Sequence, residues 1–299
     1  MSICLVTIAR NENLYLNEWL SYHRTIGVDK VYLYCNDDDP ASMYRTVLPW
    51  IESGFIEFRH FPHIGQQLEA YMHWAHIHLH DHRWVSFLDV DEFITLKRHH
   101  SLQEYLWSFP HDVDVVYLNW FNFGHSGHEK PPAGRVLQLF TKRSALMQKQ
   151  TKILVRSAAM DLGFLMSHPC PIQHGIGYHS YADNPFNPHG VKRVFADGSP
   201  FLRELDPSEI TPEISDRLRG AASISHYYMR HANHFQERVD RGLALLARTG
   251  NNCFLLNWKE KLDSGEYLTE MEEANAVEDN HLRDWSVVRY GQPHNDVLV

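Results

Sequence analysis

The sequence predicts an α/β fold, a mostly parallel sheet flanked by helices. Three observations carry this. Strand-like runs at residues 3–9, 31–35, 55–58, 84–88 and 113–120 alternate with helix-like segments. The first of these runs is nearly all apolar, the pattern of a strand buried on both faces. Polar clusters at residues 11–12, 36–39 and 89–92 follow three of the strands. In such sheets ligands bind beyond the carboxyl ends of the strands, so topology alone would gather the three clusters on one edge.

Residues 3–9 form the first strand, with Asn11 or Asn13 expected to cap the helix that follows. That helix places Leu16, Trp19, Leu20 and His23 on one face and stops at Gly27. The second strand, 31–35, ends in Asn36-Asp37-Asp38-Asp39-Pro40, a turn cluster. A helix over 41–51 and a strand over 55–58 follow. Residues 66–80 carry Leu68, Met72, Ala75 and Leu79 at helical spacing, which predicts an amphipathic helix. Residues 84–88 form the next strand and run into Asp89-Val90-Asp91-Glu92-Phe93, and a helix near 101–109 precedes the strand at 113–120. The second half is less regular. Strands are expected at 135–140, 152–156, 191–195 and 224–229, and a helix at 234–248. No repeat or linker separates domains. The expected organisation is one domain over 1–250, with halves 1–120 and 121–250, and a helical or irregular extension over 251–299.

Composition narrows the function. The net charge is 28 − 37 = −9, which argues against nucleic acid as a partner. Four widely spaced cysteines without a C-x-x-C pair argue against a disulfide scaffold and fit a reducing compartment. No run approaches the roughly 20 apolar residues of a membrane span, and no secretory signal is apparent. A cytoplasmic location is the expectation, with peripheral membrane contact left open.

Asp89-Val90-Asp91 is the central chemical feature. Residues i and i+2 of a strand point to one side, so two carboxylates at a strand end can share a divalent cation that prefers oxygen ligands. Two other acidic clusters, Asp37-Asp38-Asp39 and Asp112-Val113-Asp114, need no metal. The alternative for Asp89-Val90-Asp91 is a solvated acidic turn. Glu69, His73, His76 and His80 share a helix face that suits zinc or is simply a polar stripe. Trp120, Phe121 and Phe123 are core or an aromatic stacking platform, with core expected for two of them.

Several blocks, in order, resemble a known family. They are Arg10-Asn11-Glu12, Glu18-Trp19 with His23, Gln67-Leu68-Glu69-Ala70-Tyr71, the strand from Trp84 through Asp89-Val90-Asp91-Glu92-Phe93, Trp120-Phe121-Asn122-Phe123-Gly124-His125-Ser126-Gly127, and His226-Tyr227-Tyr228 followed by Arg241-Gly242. Together they resemble GT-A-fold glycosyltransferases of the family 92 (DUF23) and family 2-like type. One departure is Met229-Arg230-His231, where relatives tend to carry a basic residue and a serine.

The resemblance implies a GT-A-like nucleotide-diphospho-sugar transferase that uses Mn2+ or Mg2+. Residues 1–120 would be the nucleotide- and metal-binding half and 121–250 the acceptor half. The expected reaction moves a sugar, with inversion, from a UDP-sugar-like donor to a saccharide or lipid-linked acceptor. Asp89, Asp91 and His226 are the implied metal ligands. Asn11, Glu12, Asp37, Gln67 and Asp89 are the implied donor contacts. A general base is needed for the acceptor hydroxyl. Glu129 is the first candidate, with Asp161, His125 and His128 behind it. The competing readings are a non-catalytic nucleotide-sugar or glycan binding protein on the same fold, and a zinc hydrolase using the histidine face.

Overall fold

A computed structural model describes residues 1–130, 132–160, 191–203, 205–249 and 253–291. Its elements in chain order are β1 (Ile3–Ala9), α1 (Asn13–Thr25), β2 (Lys30–Cys35), α2 (Ala41–Glu52), β3 (Ile56–His60), α3 (Gln67–His78), β4 (Trp84–Phe87), β5 (Glu92–Leu96), α4 (Leu102–Trp107) and β6 (Val115–Asn122). Then come α5 (Val136–Leu139), β7 (Lys142–Arg143), β8 (Thr151–Arg156), β9 (Arg193–Phe195), α6 (Pro212–Arg219) and β10 (Ala222–His226). The last are α7 (His234–Thr249), α8 (Cys253–Ser264), α9 (Glu266–Glu273), β11 (Val277–Glu278) and α10 (His281–Tyr290). Two compact units result, residues 1–120 with 146–225, and residues 121–145 with 226–299. Among the described residues no helix is long and apolar enough to cross a membrane.

The first unit is built on one sheet of order β3-β2-β1-β4-β8-β6-β10-β5, with β9 beside β6. β1 pairs parallel with β2 and β4, and β2 with β3. β8 is antiparallel to both β4 and β6, so β6 runs with the first four strands. The five strands expected from the sequence thus all run one way, and β8 makes the sheet mixed. Every residue of β4 is buried, as the apolar run predicts.

Among the described strands β5 stands at the end of the sheet order, and an edge strand presents one row of backbone groups away from its neighbour. α1 bonds side chains to backbone groups of that row. Trp19 Nε1 donates to Glu92 O at 2.8 Å, and the Tyr22 hydroxyl donates to Ile94 O at 2.6 Å. His23 Nδ1 donates to Trp19 O at 2.9 Å, which leaves Nε2 to accept from Ile94 N at 3.4 Å. The Glu18-Trp19-…-His23 block is therefore a cover for an edge strand. Complete burial holds His23 neutral and lowers its pKa to about 3.

Four sequence expectations are corrected. β5 is a separate strand, divided from β4 by a turn. Residues 136–139 form a helical turn and not a strand. The N-cap of α1 is Glu12, without a side-chain cap bond, and neither Asn11 nor Asn13 takes that position. The buried face of α3 is Ala70, Tyr71, Trp74 and Ala75. Tyr71 and Trp74 pack on Phe87, and Leu68 and Met72 are left half-buried.

In the second unit, Met229, Phe235, Val239 and Met271 form the core, with Trp258, Leu262 and Tyr267 against it. β11 pairs antiparallel with β7. The buried Arg143 Nε donates to Asp279 Oδ2 at 2.9 Å, and the guanidinium lies over Phe121. Ser126 N donates to Asn275 Oδ1 at 2.8 Å, and Ser126 Oγ accepts from Thr141 N and Lys142 N. A Cβ on Gly124 would stand 2.7 Å from Ala274 O, so the glycine permits this approach. Phe121 and Phe123 are buried and Trp120 is half-buried, as expected.

Gly124→Ala should destabilise the protein by about 1–3 kcal/mol through overpacking against a backbone carbonyl. Urea unfolding measures this, and an unchanged midpoint would contradict it. His23 gives a pH signature. Between its unfolded pKa of about 6.5 and its folded value of about 3, the unfolded chain holds a proton that the folded chain lacks. Stability therefore falls as pH drops through that window, by on the order of 1.4 kcal/mol per pH unit from this group. His23→Gln should flatten the dependence of unfolding free energy on pH between 6 and 4 by about one proton, and an unaltered slope would show His23 protonated in the fold.

Candidate active site

β4 ends at Phe87, and Asp89-Val90-Asp91 forms the turn into β5. The two carboxylates thus sit on a turn and not on a strand end, and both residues are partly exposed. β2, β1 and β4 are adjacent and parallel, so this turn shares its sheet edge with the loops after Ala9 and Cys35.

Those loops are tied together. Asn11 N donates to Asp37 Oδ1 at 2.7 Å, with Asn11 in the left-handed region at φ 59°. Asn tolerates that conformation better than most residues. Arg10 reaches Asn36 O and pairs with Asp38 at 3.0 Å, and His60 Nε2 donates to Asp37 O at 2.9 Å. Asn36 Nδ2 donates to Phe61 O and His63 O, which brings in the loop after β3. Asp39 Oδ1 accepts from Ala41 N at the start of α2. Glu12, partly exposed, gives its carbonyl to Tyr15 N and Leu16 N.

The three acidic clusters are now distinguishable. The one at 37–39 orders two loops and a helix start. In the one at 112–114, Asp112 pairs with Lys192 Nζ at 2.9 Å and Asp114 Oδ2 accepts from Lys192 N at 3.0 Å. In the one at 89–91, Asp89 is held from below while its side chain stays 41% exposed. Gln67 Nε2 donates to Asp89 Oδ1 at 3.0 Å and to the Tyr71 hydroxyl at 2.7 Å. Lys152 Nζ donates to Asp89 Oδ2 at 3.2 Å.

Lys152 also pairs with Glu92 Oε2 at 3.2 Å, and Glu92 Oε2 accepts from Asp89 N at 2.9 Å. The lysine side chain is 3% exposed and that of Glu92 is 0% exposed. Burial pushes the Glu92 carboxyl up, against the pull of Lys152. For Lys152 burial disfavours the ammonium, but Asp89 and Glu92 outweigh it and hold its pKa above the ordinary lysine value. The Trp120 ring lies 6.0 Å from Nζ. Sequence reasoning missed Lys152. The available signal was a lysine opening the apolar run Ile153-Leu154-Val155, where a charge needs a partner.

The remaining expected residues have the following partners. His226 pairs through Nδ1 with Asn122 Oδ1 at 3.0 Å and belongs to the second unit. Glu129 in that unit is exposed. His125 Nδ1 accepts from Gly127 N at 3.1 Å, and burial lowers its pKa. His128 Nε2 donates to Leu139 O at 3.2 Å. Asp161 lies outside the described residues. On the histidine face of α3, His73 Nδ1 bonds the Tyr34 hydroxyl at 2.8 Å, and the helix ends at His78, before His80. Among the described residues no group of three or more His, Cys, Asp or Glu side chains is placed to hold a metal, so the zinc face is not formed there. Asp89 and Asp91 offer oxygen ligands, the donor type that hard divalent cations prefer.

A glycosyltransferase family 92 protein of Oryza sativa subsp. japonica is 28% identical over 182 residues, covering 59% of this chain and 31% of that protein. One from Ricinus communis is 29% identical, over 59% of this chain and 32% of its own length. The chain spans about a third of the length of these relatives. Among solved structures, S. aureus TarS 1-349 in complex with UDP aligns over 53% of this chain and 48% of its own, at 15% identity and a TM-score of 0.37. The family profile itself matches residues 1–163, the stretch that holds the acidic turn, Gln67, Glu92 and Lys152, and by that match the chain belongs to glycosyltransferase family 92.

Proposed function

We propose that this protein transfers a sugar from a nucleoside-diphosphate donor, with UDP as the first candidate nucleotide, to a saccharide or lipid-linked acceptor. The observation that carries the reading is Asp89. It is a partly exposed carboxylate at the ligand-binding edge of the sheet, with each oxygen already oriented by a donor beneath it. Each oxygen keeps a lone pair for a ribose hydroxyl or a cation.

In this reading Asp91 and Asp89 would hold Mn2+ or Mg2+, and the cation would supply positive charge opposite the departing diphosphate. The chain's own residues do the rest. Asp89 fixes the donor, with Gln67 fixing Asp89. The loops joined by the Asn11–Asp37 bond flank the nucleoside, and Glu12 stands at the start of α1 beside them. Transfer with inversion requires a base for the acceptor hydroxyl, and Glu129 is the proposed one, an exposed carboxylate that can meet an incoming acceptor.

Calorimetry with UDP and Mn2+ tests the site. Asp91→Asn should keep the melting temperature within a few degrees, since the residue is on a partly exposed turn, and should weaken metal-dependent UDP binding by tenfold or more. Equal affinities would remove Asp91 from the site. Release of UDP from UDP-sugars by the wild type separates an enzyme from a binding protein on the same fold, because a binding protein turns over no donor.

A further inference from the structure

We propose that Lys152 is a positioning residue of the donor site, acting through Asp89 and resting on the donor reading above. Its place in the fold is unusual for a lysine. β8 carries it into the middle of the sheet, between β4 and β6, with Ile153, Leu154 and Val155 buried beside it. Its ammonium has two carboxylate partners, both at 3.2 Å, and they differ in kind. Glu92 is sealed, whereas Asp89 opens to solvent.

A purely structural need would be met more simply. A buried ion pair replaced by apolar groups of similar volume often leaves a fold equally or more stable. What an apolar residue cannot do is hold the Asp89 carboxylate. The terminal torsion of aspartate is broad, so a single donor leaves the plane of the group free to turn. Here Gln67 takes one oxygen and Lys152 the other, and Asp89 N is itself anchored on Glu92. Both the backbone and the carboxylate plane of Asp89 are fixed before any ligand arrives. The remaining lone pairs then face solvent in one arrangement, which lowers the ordering cost of binding.

The test must separate positioning from folding, because Lys152→Met alone would strand Glu92 as a buried, unpaired carboxylate. Glu92→Gln/Lys152→Met removes both charges at nearly constant volume. Glu92→Gln/Lys152→Gln does the same but keeps an N–H donor for Asp89. Melting temperature and the Kd for UDP with Mn2+ are measured for both and for the wild type. The expected result is that both variants melt cooperatively, the methionine variant binds at least tenfold more weakly, and the glutamine variant recovers most of the loss. In an Asp89→Asn background, adding the Glu92→Gln/Lys152→Met pair should cost less than threefold more, because Lys152 then has no Asp89 carboxylate to position. Methionine-variant affinity within twofold of wild type overturns the inference. A loss that follows melting temperature in both variants overturns it too. A wild type that binds none of UDP, GDP, ADP and CDP with Mn2+ overturns the donor reading itself, and so is distinguishable from failure at Lys152.

Discussion

One ammonium group buried beneath an acidic turn is the constraint on which the rest of this site depends. Lys152 lies in a part of the sheet where a charge without a partner would cost several kcal/mol. The turn from β4 to β5 must therefore bring two carboxylates down to it, Asp89 from the turn itself and Glu92 from the first residue of β5. The antiparallel insertion of β8 among same-direction strands acquires a reason. It is the strand that delivers the lysine.

The same constraint explains why β5 is covered so carefully. Glu92 keeps its place only if β5 does, and β5 ends the sheet order. Trp19, Tyr22 and His23 meet three of its backbone groups from α1, and each bond is buried. A neutral His23 is part of that cover, since a protonated ring could not accept from Ile94 N. The edge strand, the acidic turn and the helix that follows β1 thus form one mechanical unit. That unit holds the Asp89 carboxylate partly exposed at the sheet edge.

Much of this was legible in the sequence. The five same-direction strands, the helix between β1 and β2 with its buried Trp19 and His23, and the position of Asp89-Val90-Asp91 after β4 all follow from apolar runs, periodicity and turn residues. Other features failed for physical reasons. β5 is not legible as a strand because it opens on Glu92 directly after Asp89-Val90-Asp91, and such an acidic run reads as a turn unless a buried partner is known. Lys152 falls within the expected strand 152–156, but its role is not legible there because its partners lie 60 and 63 positions away. Residues 136–139 have strand-like composition but form a helical turn, an override by tertiary context to which short apolar segments are prone. Aromatic packing rotated the buried face of α3 toward Tyr71 and Trp74, which a count of aliphatic residues does not register.

The family match places the acidic turn and its supports within the shared stretch, residues 1–163. The central claim is that Asp89 and Asp91 receive the donor's cation while Lys152 stays bound to Asp89. A crystal structure grown with UDP and Mn2+ tests it most directly, because manganese can be located by its anomalous scattering. The account predicts one manganese peak within coordination distance of Asp91, with the Lys152–Asp89 contact retained. A peak away from both aspartates, or a lysine withdrawn from Asp89 in the complex, would contradict it.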